Sequence, residues 1–416
     1  MPAFFEVSRH SVKSKARLGT ITTSHGKIQT PAFVPVGTKG TVKALTPSLL
    51  KEIGVQVSFV NTYHLVTHPG PEVIEKAGGI HAYSRMDIPL MSDSGGFQVF
   101  SLWRRNAKLR GDDSTVGIIT TLHKGDELPL VEKISEDGVK FRSLYDGQLI
   151  EFTPEKSMEY QRQIGADLLM AFDECTYHPA TREYTESALR RTHEWLKRCI
   201  QYLAQHRVFK STSPSVWGLR RLSQKQVSSH RHKQYLYGII QGGIYEDLRI
   251  ASAKCITQQD VSGVAIGGVS VGETKREMRE QVGWVAPYLP TDKPVHLLGI
   301  GQIDDIIDLV KYGIDTFDCV EPTRLARMGT IYQIQISNFK FQIFHIDINK
   351  SLFRADMTPV DETCSCYVCR NFTKSYLHHL FKQREILGYT LATHHNLAVM
   401  ERVMERIREM IQRGKI

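Results

Sequence analysis

The stretch GIDTFDCV, residues 313–320, is the last of eight short apolar runs that each end at polar residues or glycine. Between most of these runs lie amphipathic patterns of helical length. Near-continuous apolar strands that alternate with amphipathic helices are typical of a parallel sheet covered on both faces. Eight such units predict an α/β fold of the (β/α)8 TIM-barrel type, with a doubly wound open sheet as the alternative. The other runs are 31–38, 55–64, 88–96, 166–175, 234–243, 262–272 and 295–301, and the helical patterns include 154–165, 185–203, 245–255 and 274–285.

The residues that end these runs are unusually polar, and in a barrel they would meet at the carboxyl-end rim, where such folds carry their chemistry. Any one of them, Asp318 included, could simply cap the helix that follows, as Asp and Ser often do. Several carboxylates buried together are costly unless they serve a ligand, so their convergence favours a binding site. The polar ends of the runs are 36–38, 61–64, 93–96, 173–175, 241–243 and 318–319.

These rim residues match a purine base and the sugar that carries it. A carboxylate accepts two N–H groups from the amidine side of guanine, an amide such as Gln241 donates to the carbonyl oxygen, and glycines let the main chain approach the ring. Phe97, just past Asp93, could stack on the base. The remaining two aspartates form the pair needed to break and remake a glycosidic bond, one attacking the anomeric carbon and the other handling the proton of the leaving group.

The composition is that of an ordinary globular protein with a basic surface. The 416 residues carry a formal net charge of +9, which suits a polyanionic partner such as RNA because Lys and Arg release counterions from phosphates. The first residues show no apolar core of a secretory signal, and no run approaches the roughly 20 apolar residues of a membrane helix. Seven cysteines, an odd number, argue against a disulfide framework and predict a cytoplasmic protein.

Positive charge is concentrated between His206 and Tyr235, where seven Lys and Arg residues occur without any Asp or Glu. The pattern predicts a basic loop or arm in this Ser-rich stretch. A solvated surface insertion that contacts no partner is the alternative interpretation.

Three cysteines within six residues near the C-terminus predict a metal site. Cys364, Cys366 and Cys369 are followed by two histidine doublets, 378–379 and 394–395. Three thiolates and one imidazole match a closed tetrahedral structural zinc site, which has no open position for a catalytic water. Spacing alone leaves the fourth ligand open.

Several of these stretches together resemble one family. SDSGGFQVFSL (92–102), AFDEC (171–175), GVAIGGVSVGE (263–273), FDCVEPTR (317–324) and CSCYVC (364–369) with THHNLA (393–398) are similar to motifs of the bacterial-type tRNA-guanine transglycosylases, in the same order from about residue 10 to the end. The resemblance implies a (β/α)8 barrel with a zinc subdomain and one structural zinc ion per subunit. It also implies a homodimer that replaces guanine at the wobble position of GUN anticodons in tRNA with a 7-deazaguanine base.

The resemblance implies roles for individual residues as well. Asp318 falls on the family's nucleophile, which forms a covalent link to the ribose, and Asp93 falls on the general acid/base, which also touches the base. Arg324 and Arg327 fall where the family grips the anticodon loop. The resemblance selects His395 as the fourth zinc ligand. The implied base-binding residues are Asp93, Ser94, Phe97, Asp173, Gln241, Gly268, Val269 and Leu298, and the implied zinc ligands are Cys364, Cys366, Cys369 and His395.

The chain therefore divides into two expected parts. Residues 1–345 form the barrel, with N-terminal antiparallel strands and insertions near 103–130 and 206–235, and residues 346–416 form the zinc subdomain and C-terminal helices. Neither insertion has a counterpart in the bacterial pattern, and the second is expected to add a contact to tRNA.

The segment after Gly268 departs from the bacterial pattern, since Val269 and Ser270 stand where a Leu-Ala pair is usual. The resemblance implies that backbone at this place meets the 7-substituent of the incoming base, and that a shorter Val269 could enlarge the pocket. The sequence leaves two incoming bases open: the small precursor 7-aminomethyl-7-deazaguanine, and queuine with its cyclopentenediol.

Two further functions compete with an active transglycosylase. A non-catalytic partner subunit of such an enzyme would have lost its catalytic carboxylates, whereas Asp93, Asp173 and Asp318 are all present. A barrel acting on a free phosphorylated metabolite would need a glycine-rich phosphate cradle, which LLGIGQIDD (297–305) could supply. That alternative leaves the cysteine cluster and the basic stretch unexplained.

Overall fold

The computed structural model describes residues 3–96, 131–143, 147–206, 233–337 and 340–416. Phe97, the insertion near 103–130 and all but the edges of the insertion near 206–235 lie outside the described residues. No helix in these ranges is long and apolar enough to cross a membrane.

The chain opens with a three-stranded antiparallel sheet, β1 (Phe5–His10), β2 (Arg17–Thr23) and β3 (Gly26–Thr30). Ile21 and Ile28 are fully buried and pack in one cluster with apolar residues of the barrel strands, so the sheet closes the barrel floor. Arg17 reaches the buried Asp315 at 2.6 Å, which ties this sheet to the loop before the last barrel strand.

Eight parallel strands form the barrel, which confirms the predicted fold. They are β4 (Ala32–Pro35), β5 (Ser58–Val60), β6 (Leu90–Ser92), β10 (Leu168–Met170), β11 (Tyr235–Ile240), β12 (Gly263–Ile266), β13 (Val295–Leu297) and β14 (Thr316–Cys319), one in each predicted apolar run. Neighbours follow chain order around the sheet, with β14 beside β4. A parallel bridge between Val36 and Phe59 joins β4 to β5, so the sheet closes rather than staying open.

Helices cover the barrel, and those that the sequence predicted are present. Thr153, Thr181 and Thr274 begin the helices α5, α6 and α8 by accepting a backbone N–H with the side-chain hydroxyl, as N-cap residues do. The helices of the barrel domain are α1 (Pro47–Ile53), α2 (Thr62–Thr67), α3 (Pro71–Lys76), α4 (Ile80–Ser84), α5 (Pro154–Ile164), α6 (Arg182–Gln205), α7 (Glu246–Thr257), α8 (Lys275–Val285), α9 (Ile303–Leu309) and α10 (Glu321–Met328). Two short 3-10 turns follow α8 and α9, at Ala286–Tyr288 and Val310–Tyr312.

A second small antiparallel sheet was not predicted from the sequence. It consists of β7 (Val131–Ser135), β8 (Gly138–Arg142) and β9 (Leu149–Phe152), inserted between the third barrel strand and α5. Phe141 and Phe152 are fully buried and contact each other, and Phe141 also packs on Tyr63. The sheet thereby extends the apolar core on the side of α2.

A cluster of His25, His81 and Asp167 fastens the floor of the barrel. His25 Nδ1 lies 2.8 Å from one Asp167 oxygen and His81 Nε2 lies 3.2 Å from the other. The three ligand atoms are close enough for a metal ion. However, the imidazole rings stack at 3.4 Å with only 10° between their planes, and one ion cannot lie in two parallel ring planes that far apart. The cluster is therefore a hydrogen-bonded group in which His25 and His81 hold the Asp167 carboxylate.

The C-terminal part has its own apolar core. It begins with the hairpin β15 (Thr330–Ser337) and β16 (Lys340–Asp347) and a 3-10 turn (Ser351–Ala355), followed by α11 (Tyr367–Asn371), α12 (Lys374–Lys382) and α13 (Ile386–Gln412). Leu391 of α13 packs in this second core, whereas Leu397 and Ile411 pack in the main core of the barrel. The helix α13 therefore contributes to both apolar cores. The division at residue 345 stays a prediction, and β16 continues across it.

Candidate active site and metal centre

A cavity of about 830 Å³ opens at the carboxyl ends of the barrel strands. The structure brings most of the predicted rim residues into its wall, although they come from six different strand ends. Arg327 is not among the lining residues but lies one turn along α10 from Arg324. The predicted residues that line the cavity are Asp93, Ser94, Asp173, Gln241, Gly268, Val269, Leu298, Asp318 and Arg324.

Asp318 does not cap the helix that follows it. That helix, α10, begins at Glu321 with Val320 as its N-cap and no side-chain cap bond. The Asp318 carboxylate instead accepts N–H groups at Oδ1, from the Gly299 backbone at 2.9 Å and from His296 Nε2 at 3.1 Å. Its side chain is 13% exposed, so it is held by the barrel while still reaching the cavity.

Asp93 is held by the end of the second barrel strand. The Thr62 backbone N–H donates to Asp93 Oδ1 at 2.6 Å, and the Asn61 side-chain amide donates to Oδ2. The Thr62 hydroxyl donates to the backbone carbonyl of Asp93 at 2.5 Å. These donors fix the direction of the carboxylate. Sequence reasoning noticed Asn61 and Thr62 only as polar strand-end residues.

Asp173 and Gln241 meet in the cavity wall. Gln241 Nε2 donates to Asp173 Oδ2 at 2.7 Å, and the Ser94 hydroxyl donates to Asp173 Oδ1 at 3.0 Å. Burial raises the pKa of Asp173 to about 6, against the opposing effect of these two hydrogen bonds, and the charge of the adjacent Glu174 acts in the same direction as burial. The amide donor of Gln241, expected to meet a ligand, is here engaged by Asp173.

Gly268 follows the sixth barrel strand in a conformation that only glycine adopts readily. Its φ is +62°, and a Cβ there would lie 2.4 Å from Gln241 Oε1. The main chain therefore approaches the amide of Gln241 closely. Val269 is buried beside it, and the half-buried Leu298 contributes to the same cavity from the end of the seventh strand.

Arg249, which sequence reasoning missed, holds the two glycine loops of the rim together. It projects from α7 and is fully buried. Its guanidinium donates to the carbonyl oxygens of Gly243 at 2.6 Å, Gly267 at 3.0 Å and Gly268 at 2.6 Å, and to Gln281 at 2.9 Å. Burial lowers the pKa of Arg249 to about 10, so the cation persists at neutral pH.

His296 is the second important residue that sequence reasoning missed. It lies on β13 beside Thr316 of β14, and its side chain is fully buried. A signal was available, since side chains two residues apart share a face of a strand and Leu298 was assigned to the cavity. In VHLLGIG, however, the histidine is surrounded by apolar residues, and the pattern predicts only a strand.

Positive charge gathers beside the mouth of the cavity. Burial lowers the pKa of Lys43, and the charges of Arg327, Lys39 and Arg324 lower it further, which requires the four cations to lie near one another. Arg324 is exposed, and Arg327 donates to the Thr323 carbonyl at 2.7 Å. Such a group of cations suits a phosphate backbone.

The predicted metal ligands come together. The ligand atoms of Cys364, Cys366, Cys369 and His395 lie within 4.8 Å of one another. His395 Nδ1 lies 3.2 Å from the Cys369 sulfur and 3.5 Å from that of Cys366, close to the ~3.5 Å expected for a tetrahedral ion bound at about 2.3 and 2.1 Å. His395 Nε2 donates to the Tyr332 carbonyl at 2.7 Å, which leaves Nδ1 free to bind the ion. The donor set therefore fits a structural metal ion.

The two residues that flank His395 in α13, His394 and Asn396, make contacts outside the metal cluster. His394 lies outside this cluster, 3.6 Å from a carboxylate oxygen of Glu52. Asn396 accepts the Tyr332 backbone N–H at 2.9 Å and donates to the carbonyls of Pro322 and Thr330, both at 3.1 Å. The turn of α13 that carries His395 thus also holds the first turn of α10.

A closed eight-stranded parallel barrel with carboxylates and a buried arginine at its carboxyl-end face has the architecture of TIM-barrel enzymes. The chain belongs to the queuine tRNA-ribosyltransferase family, whose sequence model matches residues 11–416. The family resemblance noted in the sequence is thereby confirmed.

Curated proteins named queuine tRNA-ribosyltransferase are similar over nearly the whole chain. The protein of Caldanaerobacter subterraneus subsp. tengcongensis is 41% identical over 412 residues, which cover 99% of this chain and 94% of the relative. That of Natranaerobius thermophilus is 40% identical over 411 residues, covering 99% and 95%. That of Synechococcus elongatus is 41% identical over 407 residues, covering 98% and 91%.

Proposed function

We propose that this protein is a tRNA-guanine transglycosylase that exchanges guanine at the wobble position of GUN anticodons for a 7-deazaguanine base in queuosine modification. Its family membership and the names of its relatives support this function. The observation that carries the mechanism is the position of Asp318, which ends the eighth strand, lines the cavity and does not cap a helix. A non-catalytic subunit would not need a carboxylate held in this way.

In the first half of the reaction, Asp318 attacks C1′ of the wobble nucleoside. The bond from C1′ to N9 of guanine breaks, its electron pair leaves with guanine, and an ester forms between Asp318 and the ribose. In the second half, N9 of the incoming base attacks C1′ and the Asp318 carboxylate leaves. The departing guanine gains one proton and the incoming base loses one. We assign the transfer of this proton to Asp93, which lines the same cavity.

Base recognition is assigned to Asp173, Gln241, Ser94 and the main chain at Gly268. The ionised Asp173 accepts the N–H groups of the guanine edge, and binding exchanges its hydrogen bond from Gln241 for bonds to the base. The amide of Gly268 is directed to the base carbonyl, and Leu298 covers one face of the ring. Val269 lies where a 7-substituent would enter.

The incoming base is either 7-aminomethyl-7-deazaguanine or queuine, and exchange of labelled bases into tRNA separates the two. Incorporation of queuine at a rate comparable to that of the precursor would establish salvage. The absence of queuine incorporation would reject it. Val269→Leu, which restores the side chain usual in bacterial members, is the matched variant and is expected to reduce use of the larger base.

The tRNA is expected to meet the cations beside the cavity. Arg324 and Arg327 are assigned to the anticodon loop, and the nearby Lys43 is assigned to the same phosphates. Replacing Arg324 with Gln should weaken tRNA binding and reduce the slope of affinity against salt by about one charge. Guanine affinity should not change.

We assign a structural zinc ion to Cys364, Cys366, Cys369 and His395, one per subunit. When bound, this ion supplies a cross-link that joins the loop before α11 and α11 itself to the helix α13. With four protein ligands it has no open position for a substrate, so the chemistry at Asp318 does not involve it.

A homodimer is proposed from the surface of the zinc subdomain. Leu352, Met357 and Ile386 are 65 to 75% exposed, although each is large and apolar. Ile386→Asp should shift the molecular mass in solution from dimer to monomer, whereas Val12→Asp, at an exposed apolar residue of the N-terminal region, should not. If the Ile386→Asp protein remained a dimer, this surface would not be part of the dimer interface. None of the seven cysteines is paired in a disulfide, which agrees with a cytoplasmic location.

The deciding experiment traps the protein with an anticodon stem-loop and detects the covalent adduct on a denaturing gel. The wild-type protein should form the adduct and Asp318→Asn should not. Asp93→Asn should slow base exchange by about 100-fold or more because proton transfer is lost. An adduct that survives in Asp318→Asn would show that another residue is the nucleophile.

A further inference from the structure

Both ring nitrogens of His296 have fixed partners inside the barrel. Nε2 lies 3.1 Å from Asp318 Oδ1, and Nδ1 lies 2.8 Å from the Thr316 hydroxyl. Both His296 and Thr316 are fully buried, and the imidazole packs on the Phe59 ring with centroids 5.8 Å apart. No exposed side chain is involved, so this arrangement is part of the barrel interior rather than a mobile surface contact.

These partners define the tautomer of His296. A carboxylate oxygen accepts hydrogen bonds only, so the imidazole nitrogen facing Asp318 must carry the hydrogen. In the neutral ring Nδ1 is then an acceptor, and the Thr316 hydroxyl can donate to it. The Thr316 hydroxyl therefore donates to His296, and His296 donates to Asp318. Both ring nitrogens of His296 have a hydrogen-bond partner.

The same contacts make the two oxygens of Asp318 unequal. Oδ1 accepts from both His296 and the Gly299 backbone, whereas Oδ2 accepts no hydrogen bond from any residue in the described part of the chain. An oxygen without a donor is the better nucleophile, because attack does not require a hydrogen bond to break. Two donors on Oδ1 also prevent the carboxylate from rotating.

We propose that His296 is a positioning residue that fixes the Asp318 carboxylate and selects Oδ2 as the atom that attacks C1′, an inference that rests on the proposed transglycosylase function. In the covalent intermediate Oδ2 becomes the ester oxygen and Oδ1 the carbonyl oxygen, so both donors keep their acceptor. When the incoming base displaces Asp318, the negative charge that returns to the carboxylate is shared with Oδ1, where His296 and Gly299 stabilise it. The donors thus assist both halves of the reaction.

The test measures the single-turnover rate of adduct formation with an anticodon stem-loop, together with the affinity for the stem-loop. His296→Leu removes both hydrogen bonds and should slow adduct formation by about 10- to 100-fold, the usual cost of a misplaced reacting group. Stem-loop affinity should change by less than about threefold, since His296 does not contact the RNA in this proposal. A purely structural role would instead lower the amount of folded protein and leave its rate intact.

Conservative variants separate positioning from packing. His296→Gln places an amide donor near the position of Nε2 and should recover much of the rate, whereas His296→Asn, which is shorter, should not. Thr316→Val keeps the shape but removes the hydroxyl that fixes the tautomer, and an intermediate rate is expected. His378→Gln is the matched control, because His378 is also buried but bonds the Ile348 carbonyl in the C-terminal core.

The outcomes are distinct. If the wild-type protein forms no adduct, the proposed function itself fails. If the wild type forms the adduct and His296→Leu does so at the same rate, the function stands and the role of His296 is rejected. If His296→Leu does not fold, equal rates for the Gln and Asn variants would reject it instead.

Discussion

The guanidinium of Arg249 lies 2.6 Å from the carbonyl oxygen of Gly268, and through this contact a fully buried cation holds the backbone assigned to base recognition. The same side chain reaches Gly243 and Gly267. A planar group with five fixed donors is suited to holding several carbonyls at once, which an ammonium group cannot do in the same geometry. The shape of the base pocket therefore depends on a residue that is not itself part of the cavity wall.

Arg249→Lys is expected to raise the KM for guanine by about 10-fold or more, because the glycine loops lose the geometry that one planar fork imposes. Stability should fall by about 1–3 kcal/mol, since buried carbonyls lose their donors. Steady-state kinetics and thermal unfolding test both effects. Arg279→Lys on α8, a half-exposed side chain paired with Asp305, is the control and should leave the KM unchanged. A normal KM in Arg249→Lys would contradict this role.

Guanine binding should weaken as the pH falls through about 6. The folded-state pKa of Asp173 is raised by burial to about 6, so the carboxylate that we propose accepts the guanine N–H groups is lost below that pH. The KM for guanine, measured from pH 5 to 8, should rise toward low pH. A flat profile would show that Asp173 is ionised throughout or does not bind the base.

Ionisation of Asp173 should also destabilise the folded protein. A carboxyl group whose pKa is raised on folding contributes less stability as the pH rises above its unfolded value near 4, and a shift of about two units corresponds to about 3 kcal/mol. Asp173→Asn is therefore expected to unfold at the same temperature as the wild type or a higher one at pH 8, while it loses base exchange. A large fall in unfolding temperature would oppose this account.

Asp167 should show the opposite dependence on pH. Burial alone would raise its pKa, but hydrogen bonds from His25 and His81 outweigh burial and hold the pKa well below its usual range. The stability that this carboxylate contributes is present above about pH 4 and is lost as the pH falls further. Asp167→Asn should lower the free energy of unfolding by about 3 kcal/mol at pH 7 and by less at pH 3, as measured by urea unfolding. An equal loss at both pH values would contradict the prediction.

Replacement of one metal ligand should disturb the C-terminal core before the barrel. Cys369→Ser is expected to reduce bound zinc, measured by elemental analysis, and to expose α11 and the first turns of α13 to hydrogen exchange. Cys255→Ser, a partly buried free cysteine on α7, is the control and should retain the metal. Full zinc content in Cys369→Ser would mean that the ion is held elsewhere.

The barrel was predictable because its strands are apolar on both faces and end at polar residues. That pattern located all eight strands, and the motif around Cys364 located the metal ligands, with His395 chosen by resemblance rather than by spacing. The β7 to β9 sheet was missed because charged residues divide its strands, as in VEKIS (131–135) and GVKFR (138–142), so these strands do not form apolar runs. Its burial depends on Tyr63 and other residues distant in the sequence.

The supporting residues of the site were harder to find than the residues they support. Arg249 is one basic residue in an otherwise ordinary helix, and only the folded chain shows that it contacts three carbonyls of two loops. The role of His296 depends on contacts with the neighbouring strand. Its partner there, Thr316, is 20 residues away in the sequence. Contacts between strands depend on register, which composition and periodicity do not specify.

Two consecutive residues of α13 connect the metal cluster with the segment that follows Asp318, although the proposed reaction does not involve the metal. His395 belongs to the metal cluster, while Asn396 bonds the carbonyl of Pro322, four residues beyond Asp318. Loss of the ion would therefore loosen the segment that carries both Asp318, the proposed nucleophile, and Arg324. In a cell starved of zinc, the proposed wobble-base exchange would then decline while the barrel itself remained folded, so the decoding of GUN anticodons would respond to a nutrient that takes no part in the proposed reaction.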